Sequence, residues 1–99
     1  MFGDTNHGSV RLTEDGAVGP SGKPIRVFSA TQLSGGTAGI LVLRNGTTDS
    51  GTVYVQKTAG TVSNTDTVNF EGGLLFPSGC FFDKDANTTA VVVEFRVEK

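Results

Sequence analysis

Ninety-nine residues with 14 glycines, 18% charged residues and a formal net charge of −2 describe one small domain. They lack the clustered basic face that nucleic acid binding needs and the polybasic patch that draws a protein to an anionic membrane. Cys80 is the sole cysteine, so no internal disulfide staples the fold, and packing or oligomerisation must stabilise it.

Val and Thr together supply 25 residues. β-Branched side chains are stiff at χ1 and suit a pleated sheet better than a helix. The start, Met1-Phe2-Gly3-Asp4-Thr5-Asn6-His7, is polar. It has no basic, apolar leader pattern, and no later run has the length of a membrane span. The reading is a protein made in a cytoplasm with no signal peptide, which leaves its final location open.

Residues 1–24 are rich in glycine and charge, with Gly19-Pro20 and Lys23-Pro24 as punctuation. They read as an extended N-terminal arm whose one strand-like piece is Ser9-Val10-Arg11-Leu12-Thr13. That piece either reaches a neighbouring subunit or pairs within its own domain. Residues 25–99 read as a single β-domain. A strand runs Ile25 to Leu33 and ends at Gly35-Gly36. Ile40 to Arg44 is a second, apolar on successive residues as in strands covered on both faces. After an Asn45-Gly46 turn, Thr52 to Lys57 alternates, with Val53 and Val55 pointing one way and Tyr54 and Gln56 the other. Thr67 to Phe70 follows, with Val68 and Phe70 inward, and Gly72-Gly73 should break it. Leu74 to Pro77 carries a proline that belongs at an edge or bulge. Cys80 to Asp83 is a short strand, Asp85-Ala86-Asn87 a tight turn, and Thr89 to Val97 the last strand, with Val91, Val93, Phe95 and Val97 on one face. No window shows a capped helical period. About seven or eight short strands between regularly spaced turns predict an all-β, antiparallel β-sandwich with little or no helix.

Candidate chemistry is sparse. Gly19-Pro20-Ser21-Gly22-Lys23-Pro24 resembles a phosphate loop only briefly: Ala17 stands where its first glycine belongs, and Pro24 where Ser or Thr would hold magnesium. Asp83, Asp85, Asn87 and Glu94 have the oxygen-ligand spacing of a calcium loop. Yet Thr88 replaces the sharp-turn glycine and Glu94 lies inside a valine-rich strand, so a hairpin turn is the favoured reading and no metal is assigned. His7 and Cys80 are each alone, short of a nucleophile–base pair or a zinc ligand set. Cys80 beside Phe81 and Phe82 reads as a small buried hydrophobe. Asn45-Gly46-Thr47 and Asn87-Thr88-Thr89 fit a glycosylation pattern, but without a signal peptide they read as turns. The carboxylates are scattered singly, so no acid–base pair is proposed. No enzyme and no cofactor are expected.

From Gly22 onward the chain resembles a group of small virion structural proteins of cyanobacterial and marine tailed bacteriophages. The segments that carry the resemblance are Gly22 to Phe28, Leu41 to Thr47, Gly51 to Gln56, and Gly72 to Phe81 leading into Asp83 to Asn87. They are turn and strand motifs with no catalytic signature. The resemblance implies a β-sandwich virion component, most simply a capsid decoration or cement subunit that binds the major capsid protein. The alternative is a tail or neck accessory, or an adhesion module binding other tail proteins or host-surface glycan. The absence of Trp and the lone Tyr54 weigh against a sugar platform. A homo-oligomer is expected, with a trimer favoured by analogy to decoration proteins on capsid three-fold axes. Apolar runs at 40–43, 74–76, 80–82 and 91–93 should each turn one residue outward. Phe2, Val10, Leu12, Leu75, Phe76, Phe82 and Val92 are the candidate interface residues.

Overall fold

Eight antiparallel strands in two four-stranded sheets make up the protein in a computed structural model that describes residues 7–35, 38–58 and 65–98. The strands are β1 (His7–Leu12), β2 (Gly16–Val18), β3 (Ile25–Ser34), β4 (Ile40–Asn45), β5 (Thr52–Thr58), β6 (Thr65–Phe76), β7 (Cys80–Phe82) and β8 (Thr88–Val97). One sheet has the order β1-β8-β3-β6 and the other β2-β7-β4-β5. No helix occurs among the described residues. The all-β antiparallel sandwich expected from the strand spacing is what forms.

The order follows a simple rule. β1 pairs with β8, β2 with β7, β3 with β6 and β4 with β5. Partner numbers fall as residue numbers rise, from His7↔Arg96 to Asn45↔Thr52. The chain is therefore one long hairpin with its tip at the 45–52 turn, wound so that successive pairs fall alternately in the two sheets. The further pairs β3–β8 and β4–β7 knit the winding together. This is the topology of a jelly roll.

Alternation fixes which side chains meet between the sheets. Ile25, Val27, Ala30, Phe76, Val91 and Val93 of one sheet pack against Val18, Leu41, Leu43, Val55, Cys80 and Phe82 of the other, all buried. Towards one end the interior turns polar. Gln32 is buried there, and its Nε2 donates to Thr88 Oγ1 at 2.9 Å.

Three sequence expectations need correction. The extended arm is not an arm over its described part. Val10 and Leu12 pack against the core, Val18 is fully buried, and β1 and β2 lie in different sheets. Of the two readings of Val10 to Thr13, pairing within its own sandwich is the one realised, because β8 and β7 would otherwise lack their hairpin partners. Val53 and Val55 do not share a face. Leu43 pairs with Val55 but Arg44 with Val53, so Tyr54 is an extra residue at a bulge. Its ring packs on Phe76 across the sandwich, with centroids 5.2 Å apart. Finally, Gly72-Gly73 does not end β6. Both adopt positive φ, 79° and 86°, which lets the strand make an excursion between its pairing with Ser29 and with Val27 and then continue.

Candidate functional site

The turns around Gly22, Gly46 and Gly79 draw together at one end of the sandwich. Gly46 N donates to Gly79 O at 2.9 Å, and Ser78 N donates to Asn45 Oδ1 at 2.8 Å. A Cβ on Gly79 would come within 3.1 Å of Gly46 O and 3.2 Å of Gly22 N, and Gly79 itself has φ 110°. The turns around Gly22 and Gly46 thus close on Gly79, where the tight approach and the positive φ favour glycine. Pro77, Ser78 and Thr47 to Ser50 remain exposed around this packed centre. The briefly phosphate-like 19–24 segment is one of these turns.

At the other end, the calcium-like residues are separated and individually engaged. Asp83 Oδ2 accepts from Arg44 Nε at 2.9 Å. Asp85 accepts from Ile40 N at 3.1 Å through Oδ2 and from Thr88 N at 2.9 Å through Oδ1. Burial pushes the Asp85 pKa up, but the Thr88 side chain and the backbone N–H groups of Ile40, Thr88 and Asn87 outweigh it and hold the carboxyl below its ordinary value. Glu94 lies on the outer face of the first sheet and accepts from Ser29 Oγ at 3.0 Å. The Asp85 turn therefore works as a side-chain cap that ties the β7–β8 connection to β4, and the four residues do not converge on one point. Cys80 is buried between the sheets, and burial pushes its thiol up to about 12. A thiol kept protonated in this way is a poor nucleophile. His7 enters as the first residue of β1, opposite Arg96.

Among the expected interface residues, Phe2 lies outside the described residues. Phe76 and Phe82 are fully buried in the sandwich's own core, so neither is available to a partner, which corrects their selection. Val10 and Leu12 face inward. Leu75 and Val92 do face outward, on the first sheet, and Val92 is 36% exposed. The apolar runs turn other residues outward as well: Ile40 and Val42 from the first run and Phe81 from the third. These three come to the same place.

That place is the outer face of the β2-β7-β4-β5 sheet. Val53, Arg44, Phe81 and Ala17 form one cross-strand row over all four strands. Val42 and Gln56 lie opposite each other further along, and Ile40 faces Thr58 beyond them. Val53 is 38% exposed. The one guanidinium in the row is held by Asp83 and by Gly51 O, which its Nη1 meets at 2.9 Å. Among the described outward positions of the four strands there is no Lys and no Glu. An apolar surface with an aromatic and a preordered Arg, poor in other charges, is the composition of an interface centre. The sequence signal was the run of successive apolar residues. Phe81, not Phe82, is the outward residue of the third run, a parity that the inter-sheet packing of Phe82 sets.

No protein-family model, curated protein or solved structure matches the chain.

Proposed function

We propose that the chain is a non-enzymatic structural part of a bacteriophage particle, a capsid decoration subunit that binds the major capsid protein and stabilises the shell. The observation that carries this reading is the hairpin-wound, two-sheet topology. It recurs in viral capsid domains, lectins and cupins, and because a fold alone does not assign a function, the side chains must choose among them. A cupin-type metal site calls for clustered ligands, and His7 is the one histidine of the sequence. A lectin platform calls for aromatics beside polar groups, and Tyr54 is turned onto Phe76. The particle reading calls for a firm scaffold with surfaces suited to proteins. The glycine-packed turns that share the phage-protein resemblance and the apolar outer face of the β2-β7-β4-β5 sheet both meet that requirement. The titratable groups with catalytic potential are engaged structurally, Cys80 by burial and Asp83, Asp85 and Glu94 by hydrogen bonds.

The test is the copy number of the protein in purified virions, measured by quantitative mass spectrometry. Hundreds of copies per particle are expected of a decoration subunit. A dozen or fewer would move the protein to the neck or tail, and absence from the particle would overturn the reading.

A further inference from the structure

We propose that the polar end of the sandwich interior is a binding site for one internal water molecule, which donates a hydrogen bond to the side-chain oxygen of Gln32 between the two sheets. The argument begins with the amide. Gln32 is 1% exposed and points inward from β3, opposite Val91 of β8 and Asp66 of β6. Its Nε2 donates to Thr88 Oγ1 at 2.9 Å. Its Oε1 is buried and meets no hydrogen-bond partner among the described residues. Buried polar atoms of folded proteins are nearly all paired, with protein or with ordered water, because an unmet one keeps its full desolvation cost.

Thr88 settles which way the amide faces. A hydroxyl has a single proton to give. Two acceptors stand ready for the Thr88 proton: Ile40 O at 3.4 Å and the Asp85 carboxyl, to which the Thr88 side chain also bonds. Whichever takes it, Thr88 Oγ1 meets Gln32 as an acceptor, so the amide nitrogen must face Thr88 and the amide oxygen must face away. Turning the amide over would bring two oxygens together with no proton between them. The orphaned oxygen is therefore a consequence of the Asp85–Thr88–Ile40 network that ties the β7–β8 connection to β4.

The surrounding groups select water as the ligand. Oε1 needs a donor, so the ligand must bring a proton. A metal cation would instead need several free oxygens, and the two hydroxyls of this end already accept N–H bonds: Thr88 Oγ1 from Gln32, and Ser34 Oγ from Gly39 N at 3.1 Å. Ser34 is buried on the same face of β3, next to Thr88 across the strand pair, and its hydroxyl proton is available to a water oxygen. Lys57 and Asp66 close the flank. They face inward opposite Leu41 and Gln32 respectively, and their ion pair at 2.8 Å spans the two sheets. A water molecule both donates and accepts, which suits a site of this mixed character. The inference does not depend on the particle reading, since it concerns the interior of the isolated chain.

Two measurements on the full chain test it. A crystal structure that resolves ordered solvent should show a single peak about 2.7–3.2 Å from Gln32 Oε1. In solution, the Gln32 side-chain amide protons should show the negative cross-relaxation with water that marks a long-lived internal molecule. Gln32→Met removes the amide while keeping an unbranched side chain of similar length, and both signals should be lost in it. If that variant does not fold, the two parent measurements decide alone. The proposal is overturned if the parent lacks either signal, if Oε1 proves to be paired with a protein group, if the peak carries the shell of oxygens of a cation, or if a folded Gln32→Met variant keeps the peak.

Discussion

Val93 and Glu94 are adjacent in β8 yet sit in opposite environments. Val93 is fully buried between the sheets, while Glu94 is exposed and bonded to Ser29. Val93→Asp places an unpaired carboxylate in the core at a cost of several kcal/mol, comparable to the roughly 5–15 kcal/mol that a whole domain has. Loss of the cooperative thermal transition is expected. Glu94→Gln should shift stability by under about 0.5 kcal/mol, as surface substitutions do, and added calcium should not change that. Cys80 supplies a chemical readout of the same core. With its thiol pushed up to about 12 by burial, alkylation at pH 8 should be slow in the native protein and rapid in urea. The raised value also means that stability contributed by the neutral thiol is present at neutral pH and lost as pH climbs above the unfolded thiol's range, about 8.5. Asp85 works in the opposite direction. Its folded pKa lies below the ordinary value, so its capping bonds stabilise the fold above the unfolded carboxyl's pKa, about 3.9, and are lost as pH falls through the lower folded value. Urea denaturation at pH 7 and at pH 3 should show a drop for the parent that is smaller for Asp85→Asn. An equal drop in both would remove Asp85 from the cause.

At the scale of elements, β1 and β2 carry more than their short lengths suggest. They are the hairpin partners of β8 and β7, and they contribute Val10, Leu12 and Val18 to the core. Burying a Val or Leu side chain contributes about 1.5–3 kcal/mol. Val18 is fully buried and Val10 and Leu12 partly so, which together is a sizeable share of the net stability of a domain this size. Deleting residues 1–20 should therefore leave a chain with no cooperative urea transition. A deletion variant that melts like the parent would restore the independent arm. The bulge at Tyr54 shows why composition alone misplaces a strand residue. Thr52 to Lys57 alternates cleanly in sequence, and nothing local marks an extra residue. At the bulge the Tyr54 ring meets Phe76 across the sandwich, and the Arg44 guanidinium reaches Gly51 O on the same turn.

For the whole molecule, the winding of one long hairpin has a kinetic consequence. Contacts such as His7↔Arg96 and Gly16↔Phe82 join distant parts of the chain, so loop-closure entropy must be met before those pairings reward it. Refolding from urea is expected on the millisecond-to-second scale typical of sandwiches. Completion within about 100 microseconds, the regime of helical bundles, would contradict the topology. The winding also leaves β1, β6, β2 and β5 as sheet edges. β6 carries Asp66 and Glu71, and β1 carries Arg11; charge on an edge discourages unplanned strand pairing.

The amino-acid sequence by itself determined the class of fold, most strand positions and the main turns. Those features rest on short-range physics: β-branched stiffness, period-two alternation, and glycine or Asx residues where the chain must reverse. It also determined that the core face of β8 is Val91, Val93 and Phe95, because an alternating valine strand has only one apolar face to bury. Only the tertiary structure decided that residues 7–18 belong to the sandwich, since a short polar strand is stabilised by partners near the far end of the chain. The same holds for the site. Successive apolar residues at 40–43 and 80–82 announce that something faces outward, but their parity depends on which neighbour the opposite sheet covers. Once Leu41, Leu43, Cys80 and Phe82 are drawn inward by that packing, Ile40, Val42 and Phe81 are left on one shared surface.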